Sequence, residues 1–111
     1  MTEDTTAEQI KAASALLSLL RAHPGLPAGY VQLKRMVPQA GGSPQWGIAV
    51  RDHDDLSHFE QWRDALGLDP DHVTLNTSQP ETNWIEVAGS WSGVPIEVIC
   101  FFAFIDPDGP Q

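Results

Sequence analysis

Hydrophobic positions along the chain recur at two periods, and the switches between them mark out seven elements. Ile10, Ala13, Leu17 and Leu20 fall at helical spacing, with Leu16 and Leu19 widening the stripe, which predicts an amphipathic helix over about residues 6–22. Thr5 or Thr6 offers an N-cap, and Glu8 or Gln9 completes a capping box. Pro24, Gly25 and Pro27 end the helix, because a residue before proline is pushed out of the α region. The period then drops to two. Val31 and Leu33 alternate with Gln32 and Lys34 in a strand over residues 29–37, and Trp46, Ile48 and Val50 share one face of a second strand over residues 45–51. The second strand's other face is nearly bare at Gly47 and Ala49, which predicts close approach by a helix or another backbone.

A second helix is predicted over residues 56–66, with Asp54 or Asp55 as N-cap and Leu56, Phe59, Trp62 and Leu66 on one stripe. Gly67 stands where a left-handed residue closes a helix, and Leu68 can supply the accompanying apolar contact. A short strand over residues 72–77 follows, with Val73 and Leu75 pointing inward. The most strongly patterned stretch is residues 84–105, two strand-like runs meeting at Ser92-Gly93. A two-residue turn there sets Trp91 opposite Val94, Val87 opposite Val98, Ile85 opposite Cys100 and Trp84 opposite Phe101. One face of this hairpin is then a core face of Ile85, Val87, Ile96, Val98 and Cys100.

The order α-β-β-α-β-β-β points to an α+β fold of two layers, a mostly antiparallel sheet with both helices packed on one face. The passage over residues 45–77 has room for one parallel crossover. At 111 residues the chain reads as one domain, residues 1–111, with polar tails at 1–5 and 106–111. Within it, Val98-Ile-Cys-Phe-Phe-Ala-Phe-Ile105 has no polar break, although a half-buried antiparallel strand should alternate. Either this strand is covered on both sides, or Trp84, Ile99, Phe101, Ala103 and Ile105 form an exposed patch that binds a protein partner or a second copy of the chain. Two helices are few to cover both faces. The expectation is a partner-binding surface at Trp84, Ile99, Phe101 and Ala103, and a homodimer that buries it.

Charge narrows the partner. Six Lys plus Arg against fifteen Asp plus Glu give a net charge of −9, which disfavours direct nucleic-acid binding and anionic membranes. No apolar run approaches the length that spans a bilayer. The acidic N-terminus lacks a basic signal-peptide region, which favours a cytoplasmic location. Cys100, the single cysteine, lies in the most apolar run and reads as a small buried hydrophobe.

Two clusters could carry chemistry. Glu86 and Glu97 are diagonal neighbours on the outer hairpin face, beside aromatics, a pattern an acid–base enzyme could use. Alternating Glu on a wet strand is the more ordinary reading. His53, Asp54, Asp55 and His58 have metal-ligand types, but the spacing matches no established site and the aspartates already serve as caps. Nucleotide-binding glycine motifs, cysteine pairs and a Gly-x-Ser-x-Gly elbow are absent, so no catalytic residue, cofactor or metal is nominated.

The segments Leu20-Arg-Ala-His-Pro-Gly-Leu-Pro27, Phe59-Glu-Gln-Trp-Arg-Asp-Ala-Leu-Gly67 and Gly89-Ser-Trp-Ser-Gly-Val-Pro-Ile-Glu-Val98 together resemble a group of small uncharacterised α+β proteins. That group is carried by actinobacteria, their phages and their mobile elements. The resemblance spans roughly residues 10–100. It implies an accessory protein of a phage or mobile element and brings no activity with it. Taken together, the sequence reads as a non-enzymatic interaction protein, with a small enzyme or ligand-binding domain using Glu86 and Glu97 or the His53/His58 cluster as the alternative.

Overall fold

A computed structural model describes residues 5–38, 41–78 and 82–103. The elements follow the expected order: α1 (Thr6–Ala22), β1 (Tyr30–Met36), β2 (Gln45–His53), α2 (Leu56–Ala65), a single 3₁₀ turn (Pro70–His72), β3 (Thr74–Ser78), β4 (Thr82–Trp91) and β5 (Val94–Ala103). The expected tails fall mostly on residues 1–4 and 104–111, and Ile105 of the expected patch with them, all outside the described residues. The five strands form one open sheet in the order β1-β2-β5-β4-β3, with β2–β5 parallel and the other pairs antiparallel. The two helices lie on one face, an α+β arrangement. The parallel partner of β2 is β5 rather than the nearer β3, so the crossover spans α2, β3 and β4.

The β4–β5 hairpin has the register that its turn dictates. Ser92 (φ 52°) and Gly93 (φ 79°) are both left-handed, as a type I′ turn requires. Trp91 pairs with Val94, Val87 with Val98, Ile85 with Cys100 and Trp84 with Phe101. Register carries through the sheet, so Ile48 lies beside Ile96 and Val50 beside Val98. Those residues, with Val87, Val94 and Cys100, meet Leu19, Phe59, Trp62, Leu66 and Leu68 in one buried cluster. Each fully buried aliphatic side chain there contributes roughly 1.5–3 kcal/mol by leaving water.

Helix ends follow local chemistry. The Asp55 carboxylate caps α2 by accepting from the His58 backbone N–H at 3.0 Å. Gly67 (φ 68°) closes it with the Gly67 N–H donating to the Asp64 carbonyl and the Leu68 N–H to the Arg63 carbonyl, a Schellman ending. Arg63 then forks onto Glu60 and donates to the Leu68 carbonyl at 2.6 Å. α1 departs from expectation at both its cap and its face. Thr5 makes no side-chain cap bond. Ala12, Ala15 and Leu19 are the buried residues, whereas Ile10, Leu17 and Leu20 face outward at 62, 49 and 43% exposure. Small alanines let the helix lie close to the sheet, and that proximity outweighs the larger burial the leucines could give. Leu56 and Leu75 are likewise exposed, at the start of α2 and on the edge strand β3.

Candidate functional site

Side chains alternate across a strand, so the register fixes what projects from the face opposite the helices. Across β2, β5, β4 and β3 the row His53, Phe101, Trp84 and Asn76 runs perpendicular to the strands. Tyr30 on β1 extends it diagonally. The rings touch in sequence. Tyr30 meets His53 edge-on at 5.9 Å between centroids, His53 stacks on Phe101 at 5.4 Å, and Trp84 tilts against Phe101 at 6.1 Å. The Arg51 guanidinium lies 5.9 Å over the Phe101 ring, within cation–π range. No described helix covers this row.

Three of the expected partner-binding residues, Trp84, Ile99 and Phe101, are therefore on one face, but they are not equally open. Trp84 and Phe101 are half-buried, and Ile99 is only 6% exposed. Ile99 sits among Arg51, Glu86 and Phe101 in the register; the sheet's own long side chains close over it. Ala103 ends the described part of β5, opposite Thr82. Tyr30, which the sequence reading did not single out, is an open ring of the row at 73% exposure. Its strand position gave the only signal, since an outward residue at the start of an edge strand stays wet.

The bare stretch of β2 also acquires a role. A side chain at Gly47 would meet the Pro95 carbonyl at 2.5 Å and the Met36 sulfur at 2.8 Å, so the close approach comes from β5 and β1 rather than from a helix. With Gly47 and Ala49 so small, Lys34 on β1 reaches across β2 to Glu97 on β5, where its ammonium donates to the carboxylate at 2.8 Å. Glu86 turns the other way and accepts from the Asn76 amide at 3.1 Å. The two carboxylates are thus each engaged on opposite sides of the hairpin. They do not converge as an acid–base pair needs.

The histidine cluster is divided by the sheet. His53 belongs to the aromatic row, while His58 on α2 stands between Asp52 and Asp55, with Nδ1 3.8 Å from one carboxylate and Nε2 3.1 Å from the other. Using both ring nitrogens places the acids on opposite sides of the imidazole. Among the described residues no group of three or more His, Cys, Asp or Glu is placed to hold a metal ion. Asp52 is buried with Oδ2 unpartnered; burial pushes its carboxyl above the ordinary aspartate range, and the neighbouring His58 pulls it back in part. Burial likewise pushes the Cys100 thiol up, which makes it a poor nucleophile. A cleft of about 340 Å³ lined by Leu20, His23, Leu26, Val31 and Trp62 among others contains no carboxylate. A second, of about 330 Å³, contains Glu8 alone beside Arg35, Gln45 and Trp46.

Fold and site together define a two-layer α+β domain with an open, aromatic sheet face. Compared with protein-family models, curated proteins and solved structures, the chain matches none. No helix of the described residues is long and apolar enough to cross a membrane.

Proposed function

We propose that this chain is a non-enzymatic interaction protein whose open sheet face docks a protein partner. The observation that supports it is the row Tyr30, His53, Phe101 and Trp84, which crosses four strands on a face that no described helix covers. Aromatic side chains with partial exposure are the usual anchors of protein interfaces. Local charge fits this role. The chain carries fifteen acidic residues, yet Glu86 and Glu97 are the only two on this face of the described strands, against Lys34 and Arg51. A neutral aromatic surface in an otherwise acidic protein suits a protein partner and offers no basic excess to neutralise nucleic-acid phosphates. A bacterial cytoplasm and a phage or mobile-element setting follow from the sequence resemblance and complete the proposal.

The test is affinity capture from a native host lysate with wild type, Trp84→Arg and Phe101→Arg as parallel baits, each checked for an unchanged circular dichroism spectrum. A partner retained by wild type and lost by both variants supports the proposal. Equal capture by all three sinks it.

A further inference from the structure

The sheet has two edges, and they are finished differently. β3 is five residues long and sits directly after the 3₁₀ turn Pro70–His72. β1 is seven residues long, pairs with β2 through seven consecutive positions without a bulge, and contains neither proline nor glycine. Proteins usually guard such an edge with short length, proline, bulges or a projecting lysine. β1 has a lysine at the right place, but Lys34 is drawn inward across Gly47 to Glu97 at 2.8 Å. The guard is turned away from the edge.

We infer that β1 is a self-pairing edge, joining a second copy of the chain in an antiparallel β1–β1 contact centred on Leu33 that makes the two sheets one. This register follows from the residues. Directly opposed residues share a face, so Leu33 against its own copy keeps both helix layers on the same side. All seven positions then find partners. Tyr30 opposes Met36, an aromatic–thioether contact, Val31 opposes Arg35 and Gln32 opposes Lys34. No like charges stand directly across from one another, although the chain as a whole carries −9. The contact is isologous and closes on itself as a twofold dimer. It also sets the two Tyr30 residues, and hence the two aromatic rows, on one continuous face.

Sedimentation velocity across a series reaching about 100 μM, between the micromolar and millimolar dissociation constants of weak complexes, reads the assembly directly. Wild type is expected to dimerise, and amide hydrogen exchange in β1, but not in β3, is expected to slow as concentration rises. Gln32→Lys places two lysine pairs across the symmetric contact and is expected to raise the dimer dissociation constant about tenfold, with an unchanged thermal midpoint at dilutions where both proteins are monomeric, because Gln32 is exposed. The inference rests on the edge and not on the open face, so Trp84→Arg is expected to leave the dimer intact. A monomer throughout the series, or a dimer whose β1 amides stay unprotected, overturns it. So does a dimer that Gln32→Lys does not weaken.

Discussion

The two faces of this sheet are made of alternate residues of the same five strands, and they are finished in opposite ways. On the helix side, Ile48, Val50, Ile96, Val98 and Cys100 are wholly buried under α1 and α2. On the other side Ile99 and Ala49 are also buried, but beneath the sheet's own reach of Lys34, Glu97 and Arg51. One face is sealed by packing between layers, the other by long polar side chains lying down on small neighbours, which leaves a row of rings partly bare. The contrast teaches that apolar content alone does not separate a core from a binding face. What covers it does.

The contrast can be broken most severely at Trp62, which is 2% exposed and donates its indole N–H to the Pro27 carbonyl at 3.0 Å. Trp62→Ala is expected to cost about 3–5 kcal/mol in urea denaturation, whereas Trp84→Ala on the open face is expected to cost about 1–2 kcal/mol. Equal losses would mean the two faces carry the fold alike. Gly47→Val comes next, because the added side chain meets the Pro95 carbonyl and the Met36 sulfur; a loss of about 1–3 kcal/mol is expected. A smaller effect is pH-dependent. Asp52 has its carboxyl raised above 3.8 by burial, so between that value and its raised one the native state binds more protons than the unfolded chain, and stability falls as pH rises. Asp52→Asn is expected to remove that fall, gaining more over wild type at pH 7 than at pH 4. The opposite pH trend would place His58 rather than burial in control. Lys34→Met should cost least, under about 1 kcal/mol, since the pair with Glu97 is partly exposed on the lysine side.

How far the fold could be foreseen depended on whether the signal was local. Ser92-Gly93 fixes a two-residue turn, and every pair of the hairpin follows from it. Asp55, Gly67 and Leu68 likewise bound α2 through bonds within a few residues. α1 misleads because it carries two apolar stripes between its polar positions, and the choice between its alanine face and its leucine face is made by how closely the sheet can approach. Placement of β5 between β2 and β4 is a long-range pairing that no local pattern announces. Of the site, Phe101 was legible from the unbroken apolar run and Trp84 from the hairpin register that sets it opposite Phe101. Tyr30 and His53 were not, because they join the row through strand pairing. The cover over Ile99 depends on side chains from β2 and β4, which a single-strand reading of β5 does not see.

The central claim is that the partner meets the aromatic row rather than another exposed apolar surface, the outer stripe of α1 at Ile10, Leu17 and Leu20. Oxidative side-chain footprinting, read by mass spectrometry on the free chain and on its captured complex, tests this most directly. The account predicts that labelling of Tyr30, Trp84 and Phe101 falls together on binding, while Ile10, Leu17 and Leu20 stay as reactive as before. Protection of the α1 stripe with Tyr30 and Trp84 unchanged would contradict it.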